Sequence, residues 1–175
     1  MSDEKTTRDL LKQVEAVRAG LMDEQRSEAV KKRRAQGAMT ARERLDYLLD
    51  DGSFREAGGL VQPDRSNALS RTIEAPADGA VMGVGKIEGR VVQVLAQDYT
   101  VLGGSIGTVA DRKMARLIDR AVDSGQPLVM MLEGGGHRIQ DGMNAAHFAA
   151  ASPVFNKLAL TSGWVPNVVA IMGQG

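Results

Sequence analysis

Three observations predict an α/β fold preceded by a helical segment. Residues 1–56 are dense in Lys, Arg, Asp and Glu, whereas most of the 20 glycines follow position 50, among Val and Ala. The patterns of the later part run hairpin, helix, strand, helix, strand, the order of a mixed or parallel sheet covered by helices. An apolar run at 128–132 breaks off at Gly134-Gly135-Gly136, and a charged stretch and then an alanine-rich one follow. These divide the chain into a helical N-terminal segment, 1–56, and an α/β body, 57–175.

Taken in order, Leu10, Val14, Val17 and Leu21 recur at helical spacing and predict one amphipathic helix over about residues 7–35. Its basic end, Lys31-Lys32-Arg33-Arg34, suits a helix C-terminus and reads as a solvated face, with a phosphate contact as the sharper alternative. Thr40-Ala41-Arg42-Glu43 is a capping box opening a short helix that carries Leu45, Leu48 and Leu49. Asp50-Asp51-Gly52 stops it. Residues 54–60 read as a short strand, and 61–79, with Pro63 and Pro76, as a long loop.

Residues 81–87 and 90–97 predict a hairpin about a Glu88-Gly89 turn. Gly83-Val84-Gly85 is not a dinucleotide fingerprint, because a strand follows it and the third glycine is misplaced. Ser105 is placed as the N-cap of a helix whose apolar face is Ile106, Val109, Leu117, Ile118, Ala121 and Val122. Gly125 and Pro127 end that helix. A strand at 127–132, a helix candidate at 144–151, a helix opening at Ser152-Pro153 and a last strand at 167–172 complete the pattern. Gly173-Gln174-Gly175 follows directly on that strand and leaves a parallel sheet open, so the chain is expected to continue into something longer.

Composition narrows the function. Twenty-two basic and 22 acidic residues cancel, so net charge offers no argument for nucleic acid or an anionic membrane. The chain has no Cys, hence no disulfide and no thiolate metal site. The N-terminus lacks the apolar core of a signal peptide, and no apolar run reaches the roughly 20 residues of a membrane span. The expectation is a cytoplasmic protein with no metal, nucleic-acid or membrane partner.

Three adjacent glycines cost backbone entropy and pack no core. From the residues alone two explanations stand. Exposed N–H groups can approach a ligand and stabilise an oxyanion, or the segment is a flexible turn after a buried strand.

Four blocks together resemble the carboxyltransferase subunits of biotin-dependent acyl-CoA carboxylases. They are Thr40-Ala41-Arg42-Glu43-Arg44-Leu45 with Gly52-Ser53-Phe54; the run from Ala96 through Asp98-Tyr99-Thr100 and Gly103-Gly104-Ser105 to Gly107; Gly135-Gly136-His137-Arg138-Ile139-Gln140-Asp141-Gly142; and Ser162-Gly163 through Val165-Pro166 to Ile171-Met172-Gly173. The resemblance covers roughly residues 38–175 in the family's order. It implies crotonase-like ββα units, specifically the N-terminal, acyl-CoA-binding half of such a subunit, incomplete at its C-terminus.

It implies, too, that an acyl-CoA loses an α-proton and its enolate takes a carboxyl group from carboxybiotin, with biotin borne on a carrier protein or domain. Gly135 and Gly136 would donate N–H groups to the enolate oxygen, with His137 beside them as a candidate base or spacer. Gly103, Gly104, Ser105, Arg138, Gly173 and Gly175 would contact substrate. Implied partners are a biotin carboxylase or biotin carrier subunit and further copies of the chain, in a hexamer built of dimers.

The sequence departs from the family where Glu133-Gly134 replaces the common Asp-Ser, where His137 replaces a small residue, and where Gln174-Gly175 stands for the usual Pro-Cys. Arg42 and Arg44 could reach CoA phosphates or simply be exposed helix charges, and His147 reads as structural. The alternatives are a non-catalytic CoA-binding or assembly subunit, and a biotin-linked acyl-CoA decarboxylase.

Overall fold

The computed structural model describes residues 6–66, 71–142 and 153–173. Among the described residues five strands form one sheet in the order β1-β2-β3-β4-β5. They are β1 (Arg55–Glu56), β2 (Ala80–Ile87), β3 (Arg90–Gln97), β4 (Leu128–Leu132) and β5 (Asn167–Ile171). The pairs β1/β2 and β2/β3 are antiparallel, and β3/β4 and β4/β5 are parallel. The expected hairpin is present, and its Glu88-Gly89 turn carries positive φ at both residues, 50° and 77°. That geometry matches the twist of the flanking strands. Asp50 clamps the turn, accepting from the N–H groups of Glu88 and Gly89 at 2.9 and 2.8 Å.

Helices cover both faces. Alternate residues of each strand point to opposite sides. Met82, Leu95, Leu128 and Met130 meet α4 (Thr108–Ser124) and α6 (Pro153–Thr161) in one core cluster. Val81, Val94, Ala96 and Met131 meet Ala41, Leu45 and Leu49, around α3 (Ala41–Leu48), in the other. The expected capping box closes α3: Thr40 Oγ1 accepts from Glu43 N and Glu43 Oε2 from Thr40 N, at 3.1 and 2.8 Å. The segment 1–56 thus shares a core with the body. Gly83 and Gly85 serve packing, since a Cβ would come within 2.1 Å of Arg55 O and 2.8 Å of Leu49 Cδ1, respectively.

Several expectations are corrected. The single helix over 7–35 is two, α1 (Thr7–Gly20) and α2 (Ser27–Ala35), separated by a 3-10 turn at Asp23–Arg26. The break lets Leu21 bury and swings Arg26 onto Asp98 and Thr100, both at 2.7 Å. No side chain of α1 is buried. The strand expected at 54–60 shrinks to Arg55–Glu56, because Gly58, at φ 68°, turns the chain away.

Ser105 does not cap α4. Gly107 occupies the N-cap position and offers no side chain. Gly125 ends the helix as expected, in the left-handed conformation. A fifth helix, α5 (Ile139–Gly142), is a single turn. The helix candidate at 144–151, with His147, and the residues Ser152, Gln174 and Gly175 lie outside the described residues. Among the described residues no helix is long and apolar enough to cross a membrane.

Candidate active site

Two glycine-bearing loops meet at the carboxyl ends of β3 and β4. One follows β3 and carries Gly103, Gly104 and Ser105; the other follows β4 and carries Gly134 to Arg138. They run side by side like a short parallel ladder. Gly135 N donates to Gly103 O at 3.3 Å, Ile106 N to Gly136 O at 2.8 Å and Arg138 N to Ile106 O at 2.8 Å. At the root of the ladder the backbones touch: a Cβ on Gly104 would lie 2.1 Å from Glu133 O, and one on Gly134 2.2 Å from Gly104 O. Only glycine permits that approach. The Gln97 side chain staples the two loops, accepting from Glu133 N at 2.8 Å and donating to Gly104 O at 2.9 Å.

Beyond the root the site opens. Gly135, Gly136 and His137 are exposed. A Cβ on Gly135 or Gly136 would meet nothing within 4 Å. Gly135 spends its N–H on Gly103, whereas the N–H of Gly136, at φ 86°, has no partner among the described residues. A donor without a partner, held by bonds on both sides in an exposed loop, suits a developing oxyanion.

Arg138 is buried, 2% exposed, and braces the two loops. Its Nη1 donates to Asp78 Oδ1 at 2.5 Å, its Nη2 to Ser105 O at 3.1 Å and its Nε to Ser105 Oγ at 3.3 Å. Asp78 is fully buried and sits beside Ala77 in the left-handed region, at φ 53° and 51°. Such strain in non-glycine residues persists only where the surroundings enforce it.

Asp78 Oδ2 accepts from Ala110 N at 2.7 Å and Asp141 Oδ2 from Thr108 N at 3.0 Å. Two carboxylates brought from elsewhere therefore occupy the positive end of α4. They leave those N–H groups unavailable to a phosphate. Gly107 has no room for a side chain, since its Cβ would lie 2.4 Å from Arg138 Nη1.

A second buried cluster joins the N-terminal segment to the β4 loop. Glu133, 4% exposed, receives Arg33 Nη2 at 2.5 Å and Arg44 Nη2 at 2.6 Å. Arg33 also donates to Met39 O at 3.2 Å and lies 4.9 Å from the Tyr99 ring centroid, a cation–π contact. The solvated-face reading of the basic run therefore fails at Arg33. Arg34 pairs with Glu43 at 2.6 Å, and Lys31 with Glu28 at the surface. Arg42 is likewise engaged, holding both oxygens of Glu56 at 3.0 and 3.2 Å. Neither Arg42 nor Arg44 is an exposed helix charge.

Lys113, 4% exposed, donates to Ala77 O at 2.7 Å and Ala80 O at 2.5 Å. Burial pushes its pKa down from 10.5 to about 8, with Glu56 and Asp78 opposing and Arg42 adding to the shift.

Sequence reasoning singled out Gly103, Gly104, Ser105, Gly135, Gly136, His137 and Arg138, and the fold brings these together across thirty-odd positions. Gly173 lies across the same end of the sheet, where a Cβ would come 2.4 Å from Glu133 Oε1. Arg33, Asp78, Gln97 and Glu133 were missed as site-building residues. Glu133's place directly before three glycines was the one available signal. Among the described residues no three His, Asp or Glu side chains gather to hold a metal.

Comparison with known proteins places this geometry. The sequence profile of the carboxyl transferase domain matches residues 32–175. The chain is 38% identical over 167 residues to the propionyl-CoA carboxylase beta chain of Roseobacter denitrificans, covering 95% of this chain and 32% of that protein. It is 38% identical over 144 residues to the methylmalonyl-CoA decarboxylase subunit alpha of Propionigenium modestum, covering 82% and 28%. It superimposes on the hexameric transcarboxylase 12S, in its complex with methylmalonyl-coenzyme A and methylmalonic acid, with a TM-score of 0.81 and 32% identity, over 95% of this chain and 32% of that one. The fold is the α/β, crotonase-like one of those domains. The chain spans about a third of the length of these relatives.

Proposed function

The chain belongs to the carboxyl transferase domain family, and from that premise we propose that it forms the acyl-CoA half of an active site that carboxylates a CoA thioester through an enolate. The observation that carries the reading is the Gly136 N–H, exposed, without a partner among the described residues, and fixed by the ladder around it. The thioester oxygen would accept from this group. On loss of the α-proton the C–H electron pair moves into the C–C bond and the carbonyl π pair onto oxygen, so the hydrogen bond strengthens as charge develops. Gly135 would hold the loop through Gly103, and the space over both glycines leaves room for a planar thioester.

Biotin on a carrier protein or domain would supply the carboxyl group and, at the ureido nitrogen that gives it up, an acceptor for the α-proton. No described residue is assigned to biotin. His137, exposed beside Gly136, would border the acyl group and is read as a spacer that sets its size. Gly173, at the same end of the sheet, would contact substrate. Partner subunits and further copies of the chain would complete the assembly, as the multisubunit relatives suggest. The likeness to a methylmalonyl-CoA decarboxylase subunit favours one variant, in which the same enolate forms by loss of carboxylate.

The test is transfer from carboxybiotin to short acyl-CoAs. Gly136→Val keeps the N–H, but a β-branched residue is strained at φ 86°, so the donor shifts out of place and turnover should fall roughly 10²- to 10³-fold, as it does when one oxyanion donor is lost, in protein that still melts cooperatively. Undiminished turnover in that variant would remove the oxyanion assignment; no turnover in the wild-type protein either would favour a non-catalytic CoA-binding subunit.

A further inference from the structure

The Arg33–Glu133–Arg44 cluster is not explained by stability. Replacing a buried ionic triad with apolar side chains of similar volume is often neutral or stabilising. Its location is more informative. Glu133 is the residue immediately before the glycine loop, its N–H is held by Gln97, and its Oε1 lies against Gly173 on the neighbouring strand's loop. Both of its cationic partners come from the N-terminal helical segment, Arg33 in α2 and Arg44 in α3. One carboxylate between two guanidinium groups leaves one net positive charge at the root of a loop that is to hold an oxyanion.

We propose that Arg33 and Arg44 are positioning residues, which fix the 134–136 loop and its spacing from the Gly173 loop by clamping the Glu133 carboxylate. This rests on the reading of Gly136 above. It gives the helical segment a part in catalysis without contact with substrate. Glu133 swings with its own backbone, so a carboxylate tethered from two helices limits how far Gly134 and the residues beyond it can move. Displacement of a catalytic group by about 1 Å can cost as much as 10²-fold in rate.

The variant is Arg33→Met, which keeps the volume and leaves Glu133 paired with Arg44. Expected is a kcat reduced roughly 10- to 100-fold with the acyl-CoA KM changed less than about 3-fold, and substantial recovery in Arg33→Lys. Amide hydrogen exchange should speed up at Gly135 and Ile106, whose N–H groups make the ladder. Unchanged kcat in folded Arg33→Met, or unchanged exchange at these amides, would overturn the proposal. If Gly136→Val retains turnover, the enolate reading fails by itself, and the exchange measurement still decides whether Arg33 holds the loop.

Discussion

At the turn end of the sheet Gly89 lies in open space at φ 77°, whereas at the opposite end a Cβ on Gly134 would come within 2.2 Å of Gly104 O. The first glycine is needed for its backbone angle, the second for the absence of a side chain. Around Gly89 the partners are local or shallow: a two-residue turn and the clamp by Asp50. Around Gly134 they come from Gln97, Arg33, Arg44 and Gly104, all distant in sequence. The same residue type therefore reports local geometry at one end and tertiary closeness at the other. The proposed chemistry lies at the second end, where the backbone is fixed and Gly135 and Gly136 are exposed.

The largest expected effect sharpens this contrast directly. Gly134→Ala forces two backbones apart and should destabilise by about 3 kcal/mol, whereas Gly89→Ala has only its positive φ to contend with and should cost about 1 kcal/mol. Denaturant titration of both variants checks the difference. Equal losses would mean that the ladder yields easily and that the close approach has no structural weight.

Next comes Lys113, whose buried ammonium holds the Ala77 and Ala80 carbonyls at the loop end. Its folded pKa, about 8, lies below the ordinary 10.5. Between these values the unfolded chain binds the proton and the folded chain does not, so stability should rise with pH across that window, by on the order of 3 kcal/mol. Lys113→Met should flatten the rise. An unchanged slope in the variant would assign the pH dependence to another group.

Legibility followed the same division. The hairpin, the Thr40 capping box, the Gly125 helix end and the approximate bounds of β2 to β5 follow local patterns, and the sequence located them; β1 it overextended. The glycine loops could be picked out because runs of glycine are unusual, and Gly103 and Gly135 do meet. The long-range charges could not be read. Arg33 looks like any residue of a basic run, and nothing in Lys31-Lys32-Arg33-Arg34 says that one of the four reaches Glu133, 100 positions on. Ser105 had the right chemistry for a cap, but Asp78 and Asp141 took the N-terminal N–H groups of α4 from elsewhere in the fold. The spacing of Leu10, Val14 and Val17 predicted a helix correctly but not its burial; that face is exposed, and the helix breaks before Leu21 turns inward.

The most direct test of the central claim, that the open Gly136 N–H holds an enolate oxygen, is a calorimetric comparison of two ligands. One is a CoA thioether bearing a nitronate in place of the enolate; the other is the matching saturated CoA thioether. The account predicts that the wild-type protein binds the nitronate at least about 100-fold more tightly, and that Gly136→Val loses this preference while keeping its affinity for the saturated thioether. Equal affinity of the wild-type protein for the two ligands would contradict it.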